Sequence, residues 1–180
     1  DPHVAKLEDL RDPEILTLIR VAQSEPPNAD YPYSTLLVEN RRTLSAENEE
    51  SGAYRQLIRI HTRAGLDEAN ATYDYDPQRE VLQVDFGYGI APDGRISILS
   101  AGSVHDTTLG DGRPDGNRRH RLQIAVPNAE VGGLVYYQFS FRKKLDALYS
   151  FSHSWTWIFS HPAKTIRTVL RVPQNTKLQI

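Results

Sequence analysis

The chain has 180 residues, 39% of them hydrophobic and 24% charged, which is about one domain of polypeptide with enough apolar material for a core. That balance excludes a collagen-like or wholly disordered chain. The 21 Lys+Arg against 23 Asp+Glu leave no broad positive field of the kind that non-specific nucleic-acid binding needs.

There is no cysteine, so a thiol nucleophile, a disulfide and a Cys-ligated metal are excluded as well. Methionine is also absent and the sequence opens Asp1-Pro2-His3. A processed protein or an excised segment is therefore expected. The start carries no signal-peptide core, and no apolar run approaches the ~18 residues of a membrane span.

The first element is a helix. Asp12 is placed to cap it and Pro13 suits the first helical position, where a missing N–H costs nothing. Ile15, Leu18, Ile19 and Ala22 then recur at three- and four-residue spacing, as one apolar stripe. Pro26-Pro27 ends it. The spacing predicts a helix over 12–24 and an extended linker to Tyr33.

Strand-like runs come next. Residues 34–44 are rich in apolar and β-branched side chains, 46–52 read as a turn, and Tyr54, Leu57, Ile58 and Ile60 mark a return strand. A short strand is expected at 71–75 and an alternating one at 80–88. Pro92-Asp93-Gly94-Arg95 is a turn, since proline presets φ, aspartate bonds its local backbone and glycine accepts positive φ. Further strands are expected at 104–108, 121–126, 134–141, 149–159 and 165–172, with a polar loop at 110–117 and a tight turn at Val131-Gly132-Gly133. One helix followed by about eight short strands argues for an all-β sandwich. The division expected is a helix and linker over 1–30 and a β-sandwich domain over 31–180.

Few constellations carry chemistry. Phe151, His153, Trp155, Trp157 and Phe159 share parity on one expected strand, with Ser152, Ser154 and Thr156 opposite. That pattern fits a buried sheet face, or a platform on which His153, Trp155 and Trp157 meet a sugar or a partner. The loop with Asp106, Asp111, Asp115 and Asn117 invites calcium, but Arg113 stands where an EF-hand needs an oxygen ligand, and Arg118 and Arg119 oppose a cation. The basic runs Arg118-Arg119-His120-Arg121 and Arg142-Lys143-Lys144 read as solvated strand ends. Glu47, Glu49 and Glu50 read as a solvent-facing turn cluster rather than a glycosidase pair. No nucleophile elbow, dinucleotide fingerprint or His-Glu-x-x-His occurs. No catalytic residue, metal or cofactor is expected.

Taken in order, several segments carry a resemblance: Leu36-Leu37-Val38, Tyr54 to Ile60 with Ala64-Gly65, Pro92-Asp93-Gly94-Arg95, Ala125-Val126-Pro127, Val131-Gly132-Gly133 with Leu134-Val135-Tyr136-Tyr137, His161-Pro162 and Val172-Pro173. From about Tyr31 to Pro173 the chain resembles the bacterial domain of unknown function that precedes transglutaminase-like domains. The resemblance implies a two-layer antiparallel immunoglobulin-like β-sandwich in an exported or envelope-associated protein, periplasmic or extracellular. It implies a transglutaminase-like neighbour as partner. The chain holds no Cys-His-Asp set of its own, so catalysis does not carry over. The expectation is a non-enzymatic module that packs against or positions a neighbouring catalytic domain or another protein, with no nucleic acid and no membrane span. The alternative is a carbohydrate-binding module using Trp155 and Trp157.

Overall fold

The computed structural model describes residues 6–110, 119–145, 161–174 and 176. The aromatic stretch with His153, Trp155 and Trp157, and the loop with Asp111 and Asp115, lie outside the described residues.

The helix forms where its local signals place it. α1 spans Pro13–Ser24, and the Asp12 carboxylate accepts from the Glu14 and Ile15 amides at 3.0 and 3.3 Å, satisfying two of the free N–H groups at the helix start. Ile15, Ile19 and Ala22 are buried and Leu18 is partly buried beside them.

The strands are β1 (Tyr33–Leu44), β2 (Glu49–Ile60), β3 (Asn70–Tyr75), β4 (Glu80–Ile90), β5 (Ile96–Ile98), β6 (Val104–Leu109), β7 (Arg119–Ala125), β8 (Leu134–Lys144) and β9 (Ile166–Arg171). They build one sheet ordered β5-β4-β8-β2-β1-β9 and a smaller one ordered β3-β7-β6. The two face each other as an immunoglobulin-like β-sandwich. Ile58, Val135, Tyr137 and Phe139 of the larger sheet meet Leu122 and Ile124 of the smaller in one core cluster. The opposite face of the larger sheet is covered in part by α1, whose Ile15, Ile19 and Ala22 pack on Leu37, Leu57, Leu134, Tyr136 and Ile90. Strands β2 and β8 are thus buried on both faces. This is why Leu57-Ile58 and Leu134 to Tyr137 read as continuous apolar runs instead of alternating.

Two details depart from the sequence reading. The β1–β2 turn is shorter than the 46–52 stretch suggested. The Ser45 hydroxyl accepts from the amides of Glu47 and Glu49, Asn48 takes φ 57°, and pairing begins at Leu44↔Glu50. Gly52 lies inside β2, not in the turn, where a Cβ would stand 2.1 Å from the Arg41 carbonyl oxygen. Second, β9 runs parallel to β1, Val38↔Ile166 through Thr43↔Arg171, while the other strand pairs are antiparallel. No helix among the described residues is long and apolar enough to cross a membrane.

Candidate functional site

The register aligns the outer face of the larger sheet, the face that α1 partly covers, into rows. Side chains alternate between faces along each strand, so each row gathers one residue per strand. The first row is Val81, Arg142, Ser51, Thr43 and Arg171, and the second is Gln83, Ser140, Ala53, Arg41 and Val169. The third is Phe86, Gln138, Arg55, Glu39 and Arg167. Tyr88, Tyr136, Leu57 and Leu37 make the fourth.

The third row is ionic. Glu39 is 1% exposed and accepts from Arg55 Nε at 2.8 Å and from an Arg167 terminal nitrogen at 2.7 Å, with Arg41 Nε at 2.5 Å. Arg55 also reaches Asp12 at 2.5 Å and Glu14 at 3.4 Å, and Arg167 reaches Glu14 at 2.6 Å. Burial alone would raise the Glu39 carboxyl, but the Arg55 and Arg167 guanidiniums outweigh it and hold that carboxyl below its usual range. Asp12 shows the same pattern: burial would raise it, and Arg55 with the Ile15 amide brings it down. Glu14 is lowered chiefly by Arg167. The start of α1 is therefore fastened to the sheet through charges that must stay paired. At the other end of the helix, Arg59 donates to the Glu25 carbonyl at 2.5 Å, where a cation also meets the negative end of the helix dipole. The Arg59 Nε has no hydrogen-bond partner among the described residues.

Past the ionic row no described residue covers the outer face. Val81 is 67% exposed, and a depression of about 570 Å³ is lined by Ser51, Gly52, Val81, Gln83, Ser140, Phe141 and Arg142. In the bulge at Val84/Phe86, Asp85 accepts from Gln138 and Ser140 at 2.9 Å each, which fixes the floor of this region.

Three hydroxyl–histidine pairs bear on catalysis. One is Thr35 Oγ1 with His161 Nε2, 2.9 Å apart. Ser34 Oγ lies 2.9 Å from His61 Nε2, while His61 Nδ1 accepts from the Asn28 amide at 3.1 Å. An acceptor at Nδ1 puts the proton on Nε2, so the imidazole donates to Ser34 and cannot take its proton. Burial and the nearby Arg59 lower the His61 pKa, which favours its neutral form. On the smaller sheet, Thr108 Oγ1 stands 3.4 Å from His120 Nε2, and His120 Nδ1 lies 3.0 Å from Asp106, whose other oxygen accepts from Tyr75 at 2.5 Å. That hydroxyl–imidazole–carboxylate line is open to solvent: Thr108 is exposed and the Asp106 side chain is 43% accessible. Among the described residues nothing encloses it in the water-shielded hollow that acyl transfer needs. Among the described residues no three His, Asp or Glu side chains gather as a metal cluster.

The expected solvent-facing glutamate cluster divides. Glu47 is exposed, but Glu50 is 2% exposed, on the inner face, and pairs with Arg42. On the same face, burial raises the Glu80 carboxyl. The sequence reading missed Glu39, whose signal was its parity with Leu37 in an otherwise apolar run. His153, Trp155 and Trp157 lie outside the described residues, so the sugar platform meets no geometry here.

A family model described as a domain of unknown function with solved structure, DUF3857, matches residues 46–180. No curated protein matches the chain. Among solved structures, a candidate protease from Parabacteroides distasonis ATCC 8503 aligns at a TM-score of 0.75 with 16% identity, over 81% of this chain and 30% of its own. The chain thus spans less than a third of that protein's length. The family 3a carbohydrate-binding module from the CipA scaffolding of Clostridium thermocellum aligns over 59% of this chain and 74% of its own, with 16% identity and a TM-score of 0.33. A family IIIa cellulose-binding domain from Clostridium cellulolyticum aligns over 62% and 72%, with 14% identity and a TM-score of 0.35. Neither score carries an argument.

Proposed function

The chain belongs to the DUF3857 family of domains of unknown function, and from that premise we propose that it is a non-catalytic β-sandwich module that packs against or positions a neighbouring catalytic domain or protein partner. The parent protein of this proposal is an exported or envelope-associated bacterial protein with a transglutaminase-like domain. One observation carries the reading: the same fold, taking in 81% of this chain, makes up 30% of a longer candidate protease. A module that recurs inside a longer chain, with part of one sheet face left uncovered by the described residues, fits an accessory role better than a free-standing catalyst. The polarity of the Ser34–His61 pair supports the non-catalytic half of the reading.

The test is to produce the parent protein with and without residues 1–180. Soluble yield and thermal stability of the remainder should fall when the module is removed. An unchanged remainder would sink the accessory role, and turnover of peptide or ester substrates by residues 1–180 alone would sink the non-catalytic one. Retention on insoluble polysaccharide, lost on substituting Trp155 and Trp157, would favour the carbohydrate-binding alternative.

A further inference from the structure

We propose that His61 is an acid-released latch: neutral, it fastens the linker between α1 and β1 to the sandwich through the Asn28 amide, and on taking a proton it lets that linker go. The inference stands apart from the accessory-module reading and survives its failure.

The linker is held by few bonds. Residues 25–32 are all exposed, so their side chains gain little from burial. Its two ends are tied. The Glu25 carbonyl accepts from Arg59, and the Pro32 carbonyl accepts from the amides of His61 and Thr62 at 2.9 and 3.1 Å. Between them, the hydrogen-bonding tie among the described residues is the Asn28 amide, which donates to His61 Nδ1 at 3.1 Å. The other polar contacts of this stretch stay inside the linker. The Asp30 amide donates to the Asn28 side chain at 3.0 Å, and the Tyr31 amide to the Asn28 carbonyl at 3.3 Å.

The lone pair that receives Asn28 is the site an acid proton takes. An imidazolium carries a hydrogen on both nitrogens, so protonation sets the Nδ1 N–H against the Asn28 N–H, two donors with no acceptor between them. The exposed linker is the side that yields. The ring is held, since His61 is 8% exposed and its Nε2 lies 2.9 Å from Ser34 Oγ. That second bond survives the change, because Nε2 donates in both forms. The surrounding charge pushes the same way. Arg59, two positions earlier, is 4% exposed, has an Nε without a hydrogen-bond partner among the described residues, and opposes a second cation beside it. The linker brings Asp30, which is exposed, and the β7–β8 turn, bonded to Ile60 through Gly132, brings Glu130. Among the described residues neither carboxylate pairs with His61, whose printed partners are Asn28 and Ser34. Opening leaves α1 seated by its apolar stripe and its ionic start, with a slack joint leading to β1.

Amide hydrogen exchange in the 180-residue chain reads the latch. Protection of Asn28, relative to an unstructured peptide at the same pH, would be measured from about pH 7.5 to about pH 5, across the ordinary histidine range. The His61 ring nitrogens would be followed by NMR in the same samples. The Gly132 amide, bonded to the Ile60 carbonyl at 2.9 Å next to the latch, is the control. Asn28 protection should fall about tenfold with the midpoint of the ring titration, while Gly132 keeps its own. H61N, whose side-chain oxygen can stand in for Nδ1 but takes no proton, should hold Asn28 alike at both ends of the range. Asn28 protection that persists once His61 is protonated would overturn the inference. So would a midpoint apart from that of the ring, a parallel loss at Gly132, an acid-only loss in H61N, or a ring still neutral when the whole chain unfolds. Where H61N holds Asn28 at neither pH, the midpoints in the unsubstituted chain decide.

Discussion

Glu39 and Arg55 face each other across the β1–β2 pair with Oε1 and Nε 2.8 Å apart, both nearly excluded from solvent. They form the midpoint of an ionic set that begins on α1 and ends on the edge strand β9. Buried charges of this kind stabilise only as a complete set. Each ion is costly to desolvate, and removing one partner leaves the other unpaired in a medium that cannot solvate it.

E39Q should therefore cost about 3–5 kcal/mol, read as a lowered urea midpoint with an unchanged slope. The double variant E39L with R55M should cost less than either single substitution, because it removes both desolvated charges. Asp12 and Glu14 remain one-third exposed and can be rehydrated. A double variant less stable than both singles would contradict this account of the row.

The same row sets an acid limit. Asp12, Glu14 and Glu39 are all held below the usual carboxylate range in the folded protein. Their contribution is complete above the unfolded values, about pH 4, and is lost as pH falls through the lower folded ones. Denaturant midpoints should fall steeply below about pH 4, and E39Q should flatten that slope. The histidines add a milder slope. Burial lowers the His61 and His161 values in the folded state. The unfolded chain therefore binds protons first, and stability should decline as pH drops below about 6.5. H61Q combined with H161Q should remove most of that second slope.

I19A tests whether α1 is part of the core. Ile19 is fully buried between the helix and the sheet, and truncating such a side chain costs about 2–5 kcal/mol. The loss should appear in the single global unfolding transition. A helix that melts separately, with the sandwich unaffected, would mean that its contact with the sheet adds little.

G65A tests a close approach. A Cβ at Gly65 would stand 2.1 Å from the Pro32 carbonyl oxygen, which already accepts from the amides of His61 and Thr62 at 2.9 and 3.1 Å. Relief requires moving a carbonyl that ties β2 to the linker before β1. A cost of about 3 kcal/mol, the upper end for overpacking, is expected in the urea midpoint.

The helix, the turn at Pro92–Arg95 and most strands were legible because their signals are local. A cap, a proline or a run of β-branched residues acts within a few positions of itself, whatever the rest of the chain does. Asp12 caps α1 and Pro13 opens it, and Gly132 takes φ +85° in the expected turn. The family resemblance adds order to those signals, and the matched family carries it over residues 46–180. Glu50 and Gly52 misled because their residue types usually mean turn and solvent. Here Arg42 pairs with one, and a neighbouring carbonyl occupies the space beside the other.

By itself the sequence determined the class of the fold and the boundaries of its helix, through short-range chemistry that each segment carries alone. Only the tertiary structure decided that β9 lies parallel beside β1 and that Glu14 meets Arg167 across 153 positions. It also decided that the helix stops short of two rows of the sheet. Those outcomes depend on strand order and register, which are set by how all the buried faces fit at once, and no local run of residues encodes them.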